Sequence, residues 1–100
     1  PFLDARLLGE FEESRVPGAM HVTPAALSSQ SDAALDAVDL LFPDAPVVIY
    51  CYGGDCEASE DVAILLENIF GFTDVRIMVD SFESWQDAGF PIESGPPMTP

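Results

Sequence analysis

Two cysteines, Cys51 and Cys56, stand five positions apart in the stretch VVIYCYGGDCEAS at residues 47–59. Cys51 follows an apolar run, Val47 to Tyr50, that reads as a buried strand. The loop after it, Tyr52 to Glu57, contains Gly53 and Gly54, which permit backbone turns closed to other residues. A helical pattern begins at Ala58, so the free amides of its first turn point back at the loop. A sulfur ringed by N–H donors is favoured as thiolate, and the thiolate is the nucleophile. The chemistry suggested is attack by Cys51 on an electrophilic sulfur or phosphorus, with a covalent intermediate. The plain alternative is a cysteine that packs as a small hydrophobe.

The local charge works against anionic substrates. Asp55, Glu57, Glu60 and Asp61 lie in or beside the loop, and no Lys or Arg occurs between Arg15 and Arg76. The whole chain repeats this bias, with 18 acids, three basic residues and a net charge of −15 over 100 residues. Nucleic-acid and anionic-membrane binding are therefore not expected. The acidity serves solubility or favours neutral and cationic partners. Two cysteines are too few for a disulfide scaffold, and with His21 as the one histidine they fall short of a structural zinc set. No metal or cofactor is expected, and His21 reads as a hydrogen-bonded structural residue.

The elements that must position Cys51 follow from periodicity. Phe2 and Leu3 read as a short strand ending at Asp4. Leu7, Leu8 and Phe11 have helical spacing. VPGAMHV is a turn followed by a short strand. Thr23 reads as an N-cap with Pro24 at the first helical position. A second helix is expected with Leu35, Val38 and Leu41 on one face. Val62, Leu65, Leu66 and Ile69 mark a longer helix ended by Gly71. DVRIMV is a strand, and SFESWQDAGF is a last short helix ended by Gly89. Strands alternating with helices imply an α/β fold with a mainly parallel sheet. Ligand sites in such folds lie beyond the carboxyl ends of the strands, and Cys51 stands at one. No apolar run approaches the roughly 18 residues of a membrane span, so direct membrane contact by this chain is not expected.

In this order and spacing the segments resemble a single rhodanese-like (sulfurtransferase) domain, over residues 1–94, with 95–100 as a tail. FLDAR…EFEESRVPGAMHV is similar to the opening of that family, VVIYCYGGDCEAS to its catalytic strand and loop, and LLENIFGFTDVRIMVDSFESWQDAGFPIE to its ending. The resemblance implies a single-domain α/β fold with a mainly parallel five-stranded sheet flanked by helices. It implies Cys51 as the persulfide-forming nucleophile and Tyr52, Gly53, Gly54, Asp55, Cys56 and Glu57 as the loop that cradles the transferred sulfur. Asp4 and Arg6 match a structural ion-pairing motif. The partners implied are a small sulfur donor and a thiol acceptor, either a small molecule or a protein.

Several positions depart from the family pattern. The strand and helix that often precede the Asp-x-Arg strand are missing, so an N-terminally trimmed piece of a larger protein is expected. Ser14 and Arg15 replace the usual His before the Pro-Gly-Ala turn, and Asp80-Ser81 replaces a Gly-Gly before the last helix. Cys56 stands where the loop often carries Arg, which weakens the case for thiosulfate as donor. Phosphatases of the same fold close a longer loop with Arg. Here the position six after Cys51 is Glu57, which repels a phosphate dianion. Two other functions stay open: a thiol redox pair of Cys51 and Cys56, with Cys56 as resolving thiol, and a non-catalytic binding module. Both cytoplasm and periplasm remain open as locations.

The acidic loop predicts that thiosulfate is a poor donor, because like charges about 4 Å apart near a protein surface repel by on the order of a few kcal/mol. Neutralising Asp55 and Glu57 together (D55N/E57Q) should raise the rate of sulfur uptake from thiosulfate, and the gain should shrink with added salt. Efficient thiosulfate turnover by the wild type at low salt contradicts the electrostatic argument.

Overall fold

The computed structural model describes residues 1–52, 57–78 and 81–96. Four strands and five helices occur among them, in the order β1 (Phe2–Asp4), α1 (Leu8–Glu13), β2 (Met20–His21), α2 (Pro24–Ser28), α3 (Asp32–Asp39), β3 (Val47–Tyr50), α4 (Ala58–Ile69), β4 (Val75–Ile77) and α5 (Ser81–Asp87). The sheet runs β2-β1-β3-β4, and every pairing is parallel. Four strands stand where the family resemblance implies five. Near the end of the chain, Arg15 and Glu93 form only a single antiparallel bridge, with reciprocal backbone hydrogen bonds of 2.9 Å.

Alternation along the strands divides the core between the two faces of the sheet. Leu3, Val47 and Ile49 pack with Leu27, Val38, Val62 and Leu66 from α2, α3 and α4. The other cluster joins Phe2 and Tyr50 to Phe11, Val16, Phe82 and Trp85, so α1 and α5 cover the second face. β3 lies inside the sheet and is largely buried along its length, as its unbroken apolar run requires.

Local signals set the helix ends. Thr23 Oγ1 accepts from the Ala26 amide at 3.2 Å, and Pro24 occupies the first turn of α2. Ser31 caps α3 in the same way through Ala34. After α4, Gly71 takes φ +75°, a left-handed conformation that glycine adopts without a Cβ clash.

Three apolar positions do not follow the periodic reading. Leu7 and Leu8 are exposed and only Phe11 of α1 is buried, because the helix has six residues and a single position reaches the core. Ile69 is also exposed, and Ala63 takes a place in the α4 core face instead. Ile69 ends a helix that packs against β4, one of the two edge strands among the described residues.

Tyr50 is fully buried, and its hydroxyl accepts a 3.2 Å hydrogen bond from the Val16 amide. Burial first, then the nearby Asp4 charge, raises the phenol pKa above its ordinary value. Tyr50→Phe leaves the buried Val16 N–H without this acceptor and should cost about 1–3 kcal/mol at neutral pH. A raised folded-state pKa contributes stability that is present below the unfolded value, near pH 10, and is lost as pH rises beyond it. The gap between wild type and Tyr50→Phe in denaturant midpoint should therefore narrow above about pH 10. A constant gap across that range contradicts this reading.

Candidate active site

Parallel pairing brings the carboxyl ends of β1 and β3 to the same edge of the sheet, with Asp4 beside Tyr50 in register. Cys51 follows Tyr50 directly and is 3 % exposed. It thus lies at the strand end where the alternating pattern predicts a ligand site. The Tyr50 carbonyl accepts from the Ala5 amide at 2.9 Å, which ties the segment leading to Cys51 to the end of β1. The next two carbonyls are held from the other side by α5. Phe82 N–H donates to the Cys51 oxygen at 3.2 Å, and Glu83 N–H donates to the Tyr52 oxygen at 3.3 Å. The first-turn amides of α5 therefore fix the backbone of the cysteine segment rather than standing free.

Asp4 and Arg6 occupy the same end. Arg6 Nε lies 3.0 and 3.1 Å from the two Asp4 oxygens, and Nη2 donates to Asp4 Oδ2 at 2.6 Å. Nη2 also donates to the Ser14 carbonyl at the end of α1, at 2.6 Å. The guanidinium carbon sits 4.2 Å from the centre of the Phe82 ring and 5.6 Å from that of Tyr50. The Arg6 carbonyl meets His21 Nε2 at 2.6 Å. Burial disfavours the Arg6 charge, but the hydrogen bond and charge of Asp4 outweigh it, so the Arg6 pKa is raised. One arginine thereby joins β1, the end of α1, β2 and α5 around the base of the cysteine segment. Asp4, Arg6 and His21 are thus hydrogen-bonded to one another's segments at the strand end that carries Cys51.

Past Tyr52, Gly53, Gly54, Asp55 and Cys56 lie outside the described residues, and so does the Asp80 of the Asp80-Ser81 pair. Glu57 is exposed and takes the N-cap position of α4 with no side-chain cap hydrogen bond. Glu60 and Asp61 lie in the first turn, where acids suit the helix dipole. Cys51 is disulfide-bonded, so this structure represents an oxidised form of the site. Among the described residues no cluster of His, Cys, Asp and Glu is arranged to hold a metal ion.

A cavity of about 170 Å³ opens beside this segment, lined by Arg6, Glu10, Glu13, Ser14, Tyr52, Phe82, Glu83 and Gln86. Of these, only Arg6 and Tyr52 were readable as site residues from the sequence. The others carry a faint signal: Glu10 with Glu13, and Glu83 with Gln86, are spaced three apart and so share a helix face. Nothing in the linear pattern says that those two faces meet.

The chain belongs to the rhodanese-like domain family, whose family model matches residues 1–88. It is 34 % identical over 92 residues to the thiosulfate sulfurtransferase GlpE of Actinobacillus succinogenes, covering 92 % of this chain and 74 % of that protein. Among solved structures it is similar to the BH2092 protein of Bacillus halodurans, with TM-score 0.77 and 19 % identity over 93 % of this chain and 62 % of that one. It is also similar to YnjE, with TM-score 0.76 and 26 % identity over 98 % of this chain and 26 % of that one. The chain thus spans less than two-thirds of either of these two structures. The α/β architecture with a parallel sheet flanked by helices is the rhodanese-like fold expected from the sequence.

The Asp4–Arg6 pair yields a stability prediction. Arg6→Met removes the cation and leaves a fully buried carboxylate without it, which typically costs about 3–5 kcal/mol. Adding Asp4→Asn should recover part of that loss. Chemical denaturation of the two variants checks this, and an Arg6→Met midpoint equal to wild type contradicts the buried-pair account.

Proposed function

We propose that this domain is a sulfurtransferase that carries sulfane sulfur as a persulfide on Cys51 and passes it to a thiol acceptor. The observation that carries the reading is the position of Cys51, buried at the carboxyl end of an interior parallel strand, with its own carbonyl held by α5 and the preceding Tyr50 carbonyl held by Ala5 just past β1. Membership of the rhodanese-like family and the likeness to a thiosulfate sulfurtransferase support the reaction class. In the forward half-reaction, the Cys51 thiolate attacks the outer sulfur of a donor such as a persulfide or polysulfide. The donor's S–S bond breaks and its remaining sulfur leaves as an anion. In the second half-reaction an acceptor thiolate attacks the outer sulfur of the Cys51 persulfide. Cys51 is released as thiolate and the acceptor leaves as a persulfide.

Disulfide bonding of Cys51 favours a second reading, in which Cys51 and Cys56 form a redox pair that gates or replaces sulfur transfer. Counting free thiols under mild oxidant, followed by peptide mapping, distinguishes the two. A gate predicts a fully reversible loss of both thiols within a single peptide pair.

Reduced protein incubated with a polysulfide donor should gain sulfur on Cys51, measured as an intact-mass increase reversed by a thiol. Cys51→Ser should abolish that gain and keep the fold, because an oxygen at this position cannot carry the sulfane sulfur. Undiminished sulfur transfer by Cys51→Ser removes Cys51 from the mechanism.

A further inference from the structure

The cavity beside Tyr52 has an unusual charge balance for a site that handles thiolates. Its walls come from α1, α5 and the residue next to Cys51. Glu10, Glu13 and Glu83 contribute three carboxylates, and Arg6 contributes the one cation. That cation is already engaged: Asp4 takes it in a fork of hydrogen bonds, the Ser14 carbonyl takes Nη2, and its face lies over Phe82. The remaining field in the cavity is negative. Tyr52, largely exposed, adds an aromatic surface suited to a cation. Tyr52, one of its lining residues, adjoins Cys51 in the chain, and the Tyr52 carbonyl is fixed by the same α5 turn that carries Glu83.

Resting on the sulfurtransferase reading above, we propose that this cavity is the acceptor subsite and that it selects a small thiol carrying a positive charge, an aminothiol. The ammonium group sits among Glu10, Glu13 and Glu83 while the thiolate end reaches toward the outer sulfur on Cys51. Attack by that thiolate forms the new S–S bond and breaks the bond to Cys51 Sγ. The electron pair stays with Cys51 as thiolate, and the aminothiol departs as its persulfide. Anionic acceptors meet the same three carboxylates and are held off. The subsite thus sets specificity by charge, and its volume of about 170 Å³ limits the acceptor to a short molecule.

The test uses the reduced, desalted protein loaded with sulfur from a polysulfide, with loading verified by intact mass. Single-turnover discharge is then timed with cysteamine, 2-mercaptoethanol and 3-mercaptopropionate. The same series is run on the triple variant E10Q/E13Q/E83Q, in which glutamine preserves the shape and, at position 10, the hydrogen bond from the Leu7 amide. The ratio of the cysteamine rate to the 3-mercaptopropionate rate should fall about tenfold in the variant, since three carboxylates that act in the same direction are neutralised together. Comparing ratios between proteins cancels the intrinsic nucleophilicity of each thiol. Should the triple variant fold poorly, E13Q/E83Q, changed only at exposed positions, carries the same comparison. An unchanged ratio in a folded variant overturns the subsite while leaving the sulfurtransferase reading standing. Failure of the protein to take up sulfur at all overturns both, and the loading step reveals it before any acceptor is added.

Discussion

The buried pair of Asp4 and Arg6 is the constraint on which the site depends. Both residues are withdrawn from bulk water: the carboxylate is fully buried and the arginine side chain is 4 % exposed. Desolvating either charge alone is costly, so the pair is stable only with near-complete hydrogen bonding. The Asp4 oxygens take bonds from both the backbone and the side chain of Arg6, and Arg6 also caps the end of α1 through Ser14. Among the described residues, no buried side-chain polar atom lacks a partner. The consequence is rigidity. The guanidinium carbon of the arginine that satisfies Asp4 also lies over the Phe82 ring, and the Phe82 amide holds the Cys51 carbonyl. A charge pair at the carboxyl end of β1 therefore reaches the cysteine carbonyl through a single aromatic residue.

Parallel pairing makes this arrangement possible. It places the ends of β1 and β3 side by side and leaves both helical layers free to approach the same edge. The α2–α4 layer fills one face of the sheet with aliphatic side chains, while the α1 and α5 layer fills the other with aromatic ones. The aromatic face is the one that meets Arg6, through Tyr50 and Phe82. It is also the face whose helices line the acidic cavity. Core packing, the buried ion pair and the charge of the cavity are thus properties of one layer of the fold.

Features set by neighbouring residues were legible in the sequence. The apolar run before Cys51, the Thr23-Pro24 helix start and the Gly71 helix stop each depend on a few adjacent residues, and each occurs in the structure. The strand end bearing Cys51 was legible for the same reason. Long-range meetings were not. Glu10 and Glu83 line one cavity although most of the chain separates them, and no periodicity reports that two helices flank the same strand end. Burial was misread where a periodic pattern ran past its support. Leu7 precedes the first turn of a very short helix, and Ile69 ends a helix beside an edge strand, so neither finds a packing partner sufficient to bury it. Conversely, Phe82 carries no chemical signal of its own. Its part at the site comes from lying between Arg6 and the Cys51 carbonyl.

The most direct test of the account is to locate the transferred sulfur in the wild-type protein. Reduced protein is loaded from a polysulfide, alkylated with a reagent that retains persulfide sulfur, digested and mapped by mass spectrometry with fragmentation between positions 51 and 56. The account predicts that the added sulfur is carried on Cys51 and returns to the solution as acceptor persulfide on addition of a thiol. Sulfur found on Cys56 alone, with Cys51 alkylated as an ordinary thiol throughout, would contradict it.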